Sequence, residues 1–258
     1  MFSKKELLNG LATQIIGNKI FVFESIDSTN ACARTLGDAG SPEGAVVIAD
    51  FQTNGRGRQG RSWLAEPDSS ILFSVLLRPA VQTEMAGLFT LFASTAVARA
   101  IEQYIGVSVE CKWPNDLLMR GKKFCGILLE NSIQQSGLAY AVIGVGINVN
   151  QQSFPSEIGE KATSLALETG LIHDRKALFH AIIREMDSLY EGARGGDFFA
   201  IVPEWTKRCS MFGRTVRIQQ HDRTIEGTAV RLNHDAGLVI STSDGLQTIY
   251  AGDVMMTT

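Results

Sequence analysis

The sequence predicts an α+β fold in which a larger region of strands and helices is followed by a small all-β domain. Three observations favour this fold. Short apolar runs typical of buried strands recur between residues 20 and 149. Two longer segments, 83–104 and 174–191, have the apolar content or the spacing of core helices. From residue 213 onward, short alternating segments separated by turn residues predict a β-barrel.

The first elements alternate between strand and helix. Residues 20–24 are expected to form a strand, and residues 27–29 are all N-cap types in front of a helix over 30–36. Proline forces the preceding residue into an extended conformation, so 113–114 predicts a rigid corner after a short strand. The remaining buried strands are expected over 45–49, 70–77, 124–130 and 138–149, with a core helix over 83–104.

The second half of the chain changes in character after residue 150. A helical apolar stripe covers 174–191 behind the N-cap type Asp174, and 197–209 is expected to be helical with a break at Pro203. We expect two domains, 1–209 and 210–258, the second of which is close to the lower size limit for independent folding. Its strands are expected over 215–218, 224–232, 238–242 and 247–250.

The composition describes a globular chain with no bias towards nucleic acid. Its 258 residues carry a net charge of −3 and 45% of them are hydrophobic, with a mean hydropathy of +0.05. We therefore expect a sizeable core and no binding to DNA. The charge-free part of segment 83–104 is too short to span a bilayer, and the N-terminal residues lack the apolar stretch of a signal peptide. No membrane association is expected.

The cysteines and histidines argue against a zinc enzyme and against a nucleophilic triad. The four cysteines contain no C-x-x-C pair, which indicates free thiols in a reducing cytoplasm. The four histidines have no metal-ligand spacing and give no support for a catalytic triad, so no protein-bound metal is expected. These residues are Cys32, Cys111, Cys125, Cys209, His173, His180, His221 and His234.

One segment, residues 52–63, carries most of the chemistry. Three glycines alternate there with Arg56, Arg58 and Arg61, directly after a buried strand. Glycine lets backbone N–H groups approach a ligand, and arginine offers a permanently charged fork to carboxylate or phosphate oxygens. A dinucleotide fingerprint or a P-loop needs a helix to open here, which Pro67 prevents, and a hairpin turn alone does not explain the arginines. The segment therefore predicts an anion-binding loop.

Five segments together resemble the biotin–protein ligases, or biotin–[acetyl-CoA-carboxylase] ligases. They are Asp27-Ser28-Thr29-Asn30, the loop 52–63, Lys112-Trp113-Pro114-Asn115-Asp116, Lys123 with Gly126-Ile127-Leu128, and Gly144-Val145-Gly146-Ile147-Asn148-Val149. The resemblance implies a mixed-sheet catalytic domain of the class II-synthetase-like biotin ligase type, followed by a small SH3-like β-barrel. Too few residues precede the first predicted strand for the DNA-binding module of some relatives, so we expect the single-function form.

The resemblance also implies a reaction in two steps. Biotin and ATP form biotinyl-5′-AMP and pyrophosphate with Mg²⁺, and a lysine of a biotin carboxyl carrier protein then accepts the biotin. Lys123 and Arg58 match positions that stabilise the transferring groups, and Asp116 is expected to position ligands or to act as a base. The implied biotin contacts are Ser28, Thr29, Asn30, Gln52, Gly55, Arg56, Gly57, Arg58, Lys123 and Gly126. The implied ATP or adenylate contacts are Arg58, Arg61, Trp63, Lys112, Asn115 and Asn148.

Two other functions stay open on the sequence alone. A lipoate or octanoate ligase of the same fold would use a similar acyl-adenylate, and a non-catalytic sensor would bind biotin without turnover. The glycine-arginine loop and the run 112–116 favour biotin. Family likeness also implies a homodimer through sheet edges, whereas the identity of the acceptor protein and the order of substrate binding do not follow from the sequence.

Overall fold

A seven-stranded mixed sheet supports the larger part of the chain. The computed structural model describes residues 2–134, 137–193, 198–220 and 223–256. The strands of this sheet are β1 (Lys19–Ile26), β2 (Ala45–Gln52), β3 (Ser70–Leu77), β4 (Glu110–Lys112), β5 (Asp116–Met119), β6 (Lys122–Gln134) and β7 (Gly137–Asn148). Their order is β1-β2-β3-β7-β6-β5-β4, with β1 parallel to β2 and the other neighbours antiparallel.

Helices cover both faces of this sheet. Alternate side chains of β2 divide between two apolar clusters: Val47 packs with α2 (Thr29–Asp38), and Ile48 belongs to the core around α3 (Leu88–Ile105) and α6 (Arg175–Ala193). Because both faces are buried, the central strands have continuous apolar sequences rather than alternating ones. The shorter helices are α1 (Lys4–Leu8), α4 (Ser156–Gly159), α5 (Leu165–Thr169) and α7 (Ile201–Lys207).

The apolar segment predicted over 83–104 is a core helix. A 3₁₀ turn over Thr83–Gly87 leads into α3. Together they are long and apolar enough to cross a membrane by length and composition, but 72% of their most apolar window is buried inside the fold. Burial of this kind is what a helix at the centre of a globular domain requires.

The C-terminal region is a separate five-stranded antiparallel sheet. Its strands are β8 (Thr215–Gln220), β9 (Arg223–Leu232), β10 (Leu238–Thr242), β11 (Gly245–Ile249) and β12 (Asp253–Met256), in the order β11-β10-β9-β8-β12. It packs on the larger region next to Trp113, whose indole N–H donates to the carbonyl of Ala236 at 3.1 Å. The Trp113–Pro114 peptide bond is cis.

Three local expectations were wrong or incomplete. Pro203 does not break α7, because it lies in the first helical turn, where a missing N–H costs nothing; residue 197 lies outside the described residues. The strand expected over 124–130 is longer in the structure, where β6 covers Lys122–Gln134. The sequence also gave no signal for β12, whose four residues are too few to show a period.

Candidate active site

An open cleft lies where the N-terminus of α2, the loop 53–63 and the strands β6 and β7 meet. Its volume is about 820 Å³ with the mouth included. Most of the predicted ligand contacts line it: Ser28, Thr29, Asn30, Gln52, Arg56, Gly57, Arg58, Arg61, Trp63, Asn115, Asp116, Lys123 and Gly126. Gly144, Val145 and Gly146 line it as well, so the structure brings all five of the predicted segments together in one cavity.

Three predicted contacts lie outside the cleft. Gly55 is behind the loop, where an added Cβ would meet the Trp63 carbonyl oxygen at 2.7 Å, and it lines an adjoining groove. Asn148 is buried at the end of β7, and its Nδ2 donates to the carbonyl of Thr163 at 3.0 Å. Lys112 is on β4 and does not line the cleft.

The loop 53–63 doubles back on itself as a hairpin. The N–H of Trp63 donates to the carbonyl of Gly55 at 2.9 Å, and the N–H of Gly57 donates to the carbonyl of Arg61 at 2.6 Å. The reversal at 59–60 uses φ values of 55° and 73°, a region that favours glycine. This hairpin carries the arginines over the cleft, so its geometry and its anion-binding chemistry are compatible.

Glycines on β6 and β7 form the floor of the cleft. Gly126 pairs with Gly146, and the ring of Trp63 lies across both, since a Cβ on either would meet an indole carbon at 2.8 or 2.6 Å. A Cβ on Gly144 would lie 2.1 Å from Oδ1 of Asn30. The glycines within these strands therefore mark a close approach, and the approaching groups include two of the predicted ligand contacts, Asn30 and Trp63.

A chain of hydrogen bonds runs from β6 to the cleft wall. Nδ2 of Asn30 donates to Oε2 of Glu130 at 2.7 Å, and Ser74 Oγ donates to Oδ1 of Asn30 at 2.6 Å. Ser74 Oγ also lies 2.8 Å from the hydroxyl of Thr29. The single proton of Ser74 goes to Asn30 at the shorter distance, and the Thr29 hydroxyl has two acceptors for its own proton, Ser74 Oγ and, at 3.1 Å, Oε1 of Gln52. Asn30 is thus fully occupied within the protein, and Thr29 presents lone pairs to the cleft.

Ser28 is a hydrogen-bond donor towards the cleft, whereas Thr29 is an acceptor. It is the N-cap of α2, and its Oγ accepts from the N–H of Ala31 and from Nη2 of Arg56, both at 3.4 Å. Within the described residues its own proton goes to no protein acceptor, so Ser28 is a donor towards the cleft. Oε1 of Gln52 accepts from the N–H of Thr29 at 2.8 Å and lies 3.1 Å from its hydroxyl, which leaves Nε2 of Gln52 as a second donor.

Lys123 and Asp116 form an ion pair in the cleft. Nζ of Lys123 lies 2.6 Å from Oδ1 of Asp116, and it lies 5.5 Å from the centroid of the Trp63 ring. The Lys123 side chain is 34% exposed, so the ammonium group stays accessible to a ligand. A cation held in this way suits a developing negative charge.

Two loop arginines reach the C-terminal sheet. Nη1 of Arg58 donates to Oδ1 of Asn115 at 3.1 Å and to the carbonyl of Gly252 at 3.5 Å, and Nη2 of Arg61 lies 2.7 Å from Oδ1 of Asp253. Burial lowers the pKa of the Arg58 guanidinium, while the nearby Asp253 and Asp116 carboxylates oppose that shift. An arginine stays charged even so. The two sheets of the molecule therefore meet at this cleft.

A second groove adjoins the cleft and shares Gln52, Ser62 and Trp63 with it. Its walls are mainly apolar and aromatic, and they include Phe51, Leu64, Phe154 and Pro155. A planar, partly apolar group fits such walls. The Trp63 indole lies between the two cavities.

Three functional candidates escaped the sequence analysis: Ser74, Glu130 and Asp253. Ser74 could have been recognised, because a polar side chain within the apolar run of a strand that is buried along its whole length needs a hydrogen-bond partner. Glu130 follows two residues after the segment Gly126-Ile127-Leu128 and would have needed the strand register to be recognised. Asp253 had no signal, because it approaches the loop from 192 residues away.

In the described ranges, no group of three or more histidine, cysteine, aspartate or glutamate side chains is placed to hold a metal ion. His221, one of the histidines considered above, lies outside those ranges. All four cysteines are free thiols.

Comparison with known proteins assigns the chain to a family. The family model described as "Biotin/lipoate A/B protein ligase family" matches residues 22–148, and the one described as "Biotin protein ligase C terminal domain" matches residues 211–256. The bifunctional ligase/repressor BirA of Bacillus spizizenii is 34% identical over 98% of this chain and 78% of its own length. The chain belongs to the biotin protein ligase family.

Other members of the biotin protein ligase family agree along the whole chain. The biotin–[acetyl-CoA-carboxylase] ligase of Mycobacterium tuberculosis is 32% identical over 95% of this chain and 93% of its own. The structure of the Aquifex aeolicus biotin protein ligase in complex with biotin and ATP superposes with a TM-score of 0.78 at 28% identity, covering 93% of this chain and 99% of that one. Every cleft residue except Asp253 lies within the first family match, and Asp253 lies within the second.

Proposed function

We propose that this chain is an ATP-dependent biotin–protein ligase. It joins biotin to AMP with release of pyrophosphate, and then transfers biotin to a lysine of a biotin carboxyl carrier protein such as that of acetyl-CoA carboxylase. The observation that carries the proposal is the polarity of the cleft wall, whose donors and acceptor line the same cavity as four cationic side chains, Arg56, Arg58, Arg61 and Lys123. The named functions of the relatives support the same activity.

The wall formed by Ser28, Thr29 and Gln52 is complementary to a cyclic urea. A ureido ring has one carbonyl acceptor flanked by N–H donors. The Ser28 hydroxyl and the Gln52 amide donate to the carbonyl, and the Thr29 hydroxyl accepts from an N–H. Ser28 and Thr29 are buried and Gln52 is partly buried, so a ligand that left the two buried hydroxyls unpaired would lose about 1–3 kcal/mol per group.

The cations of the cleft serve the first step. The biotin carboxylate oxygen forms a bond to the α-phosphorus, and the bond from that phosphorus to the β-phosphate oxygen breaks, so that pyrophosphate leaves. Two anions must meet for this to occur, and fixed charges lower the repulsion. We assign the carboxylate side to Arg56 and Lys123, and the phosphate side to Lys123, Arg58 and Arg61.

Magnesium enters with the triphosphate in this proposal. Mg²⁺ typically takes one or two protein carboxylates and completes its coordination with phosphates and water. Asp116 lines the cleft and can supply such an oxygen, which fits an ion brought by the nucleotide better than one resident in the protein. When bound, the ion neutralises charge on the pyrophosphate that leaves.

The second step forms the amide. The lysine amine of the carrier attacks the carbonyl of biotinyl-AMP, the bond to AMP breaks, and the amine gives up a proton. Asp116 holds the Lys123 ammonium at 2.6 Å and is the cleft carboxylate closest to that charge, so we assign it to positioning Lys123 and to receiving the proton. Removal of water protects the mixed anhydride until the carrier arrives.

The adjoining groove is our candidate for the nucleoside. It continues from the phosphate-facing arginines past Trp63, and its aromatic walls suit a purine. Asn148 lies one hydrogen bond behind Gln151, a groove residue, since Nε2 of Gln151 donates to Oδ1 of Asn148 at 3.2 Å. Any effect of Asn148 or Lys112 on the nucleotide is therefore indirect, through residues that line the cavities.

The family likeness also suggests a domain boundary, a topology for the C-terminal sheet, a cellular location and a dimer. We propose a boundary at residues 209/210, an SH3-like topology for the C-terminal sheet, and a cytoplasmic location, which the four free thiols support. A homodimer would form along β6, because β5 pairs with it only from Lys122 to Gly126. Unpaired strand edges are natural sites for a second copy.

The decisive experiment is pyrophosphate exchange. Purified protein with ATP, Mg²⁺ and labelled pyrophosphate should incorporate label into ATP only when biotin is present, and lipoate should not replace it. Addition of a carrier domain should then yield a biotinylated lysine detectable by mass. Absence of biotin-stimulated exchange would refute the proposal, and exchange stimulated equally by lipoate would refute its specificity.

A further inference from the structure

Glu130 lies behind the cleft and contacts three of its neighbours without lining the cavity itself. Its carboxylate accepts from Nδ2 of Asn30 at 2.7 Å. Two arginines lie at longer range, with Nη1 of Arg34 at 3.5 Å and Nη1 of Arg56 at 3.7 Å. The Glu130 side chain is only 21% exposed, so it is positioned to act through the side chains around it.

The contact with Asn30 decides the direction of every following hydrogen bond. An ionised carboxylate only accepts, so Asn30 must turn its NH₂ group towards Glu130 and its Oδ1 towards Ser74. Ser74 then commits its single proton to that oxygen and does not donate to Thr29, whose own hydroxyl has Oε1 of Gln52 and Ser74 Oγ as acceptors. The carbonyl of Leu128 supports the same orientation of Asn30, but only weakly at 3.4 Å.

From this geometry we propose that Glu130 is a positioning residue for biotin recognition. Through Asn30 and Ser74 it sets the polarity of the relay, so that the Thr29 oxygen receives no proton from Ser74 and keeps its lone pairs for a ureido N–H. Loss of the carboxylate allows the Asn30 amide to turn over, and Ser74 then donates to Thr29 and occupies one of those lone pairs. This inference rests on the proposed function, because it names how that ligand is read.

A second role for Glu130 is as a counter-charge for Arg56, and two substitutions separate the roles. Glu130→Gln keeps an acceptor for Asn30 and removes the charge, whereas Glu130→Met removes both. The relay predicts that Glu130→Gln changes the KM for biotin by no more than about threefold, and that Glu130→Met raises it by about 10–100-fold, the loss expected for one or two hydrogen bonds. In both variants kcat and the KM for ATP should stay within about threefold of the wild type.

A double-mutant cycle tests the path itself. Ser74→Ala breaks the relay one link closer to the ligand, so we expect it to raise the KM for biotin on its own. In the Ser74→Ala background, Glu130→Met should add less than about twofold, because residues of one network are not additive. If Glu130→Met does not fold, Ser74→Ala still tests the relay. The wild type should have a much higher KM for a biotin methylated on the ureido nitrogens than for biotin, and the ratio of these two KM values should be smaller in Ser74→Ala.

The controls keep this inference distinct from the proposed function. Arg34→Gln removes the exposed arginine partner of Glu130 and should leave the KM for biotin within twofold, and Ser94→Ala is a buried serine control remote from the cleft. Equal effects of Glu130→Gln and Glu130→Met, or fully multiplicative effects in the cycle, would overturn the relay. A wild-type protein without biotin-dependent exchange would instead overturn the proposed function.

Discussion

Replacement of Lys123 by alanine should separate catalysis from stability. The ion pair between Lys123 and Asp116 is 2.6 Å long, but the two side chains are 34% and 24% exposed, and such solvent-screened pairs contribute at most about 1 kcal/mol to folding. A fixed donor or charge at a developing anion contributes about 2.7–4 kcal/mol to the transition state. We therefore expect the rate of adenylate formation to fall by about 10²–10³-fold and the melting temperature to change little.

The loss should fall at the upper end of that range. Removal of Lys123 leaves the carboxylate of Asp116 uncompensated next to the position where two further anions must meet. Rapid-quench measurement of biotinyl-AMP in a single turnover reports the chemical step directly, and thermal unfolding reports stability. Lys122→Ala is the matched control, because Lys122 is the exposed neighbour on the same strand and should leave both quantities unchanged.

Two results would contradict this reasoning. A single-turnover rate for Lys123→Ala within threefold of the wild type would remove Lys123 from the first step. A melting temperature lowered by more than about 4 °C would mean that the ion pair contributes to folding beyond the range of screened pairs, and that the rate loss has a structural part.

Three further predictions concern the loop and its floor. Arg58→Gly removes the guanidinium that bridges the cleft and should release biotinyl-AMP, measured as biotin on lysines of a bystander protein; retention equal to the wild type contradicts this. Asp253→Asn removes the 2.7 Å ion pair between the exposed side chains of Arg61 and Asp253. The release of biotinyl-AMP should therefore rise about two- to fivefold at low salt and equal that of the wild type at high salt. An increase in release that does not depend on salt would contradict this prediction. Gly146→Val brings atoms within 2.6 Å of the Trp63 ring and should weaken binding of both substrates by about 1–3 kcal/mol in calorimetry. Gly192→Ala is the control for this variant, because a Cβ at Gly192 would meet open space. Unchanged substrate binding by Gly146→Val would contradict the role of the glycines as the floor of the cleft.

Local features of the site could be predicted from the sequence. Ser28 is the N-cap of α2, as its residue type and the following composition indicate, and its hydroxyl accepts from the N–H of Ala31. The glycine-arginine loop was recognisable because its chemistry lies within a dozen residues. Glycines at 144 and 146 also signalled a close approach, although only the structure identifies Asn30 and Trp63 as the approaching groups.

Features that depend on distant pairing could not be predicted. Ser74 acquires its role because β3 places it opposite Gly144, and Glu130 because the register of β6 brings it to Asn30. Neither fact is encoded in a local pattern, since strand register is fixed by the packing of the whole sheet. The position of Asn148 could not be predicted either: the resemblance implies a nucleotide contact, which stays a prediction, and only the structure shows that its Nδ2 donates to the carbonyl of Thr163.

The orphaned indole nitrogen of Trp63 gives the enzyme an internal optical signal. Among the described residues Nε1 of Trp63 is buried without a hydrogen-bond partner, whereas those of Trp113 and Trp205 donate to Ala236 and Ser94. Trp63 lines both cavities, whereas Trp113 and Trp205 line neither, so a ligand that contacts the Trp63 ring should change the emission of this one fluorophore. Emission from the unlabelled protein should thus follow occupancy in real time, free of the coupling enzymes that turnover assays require.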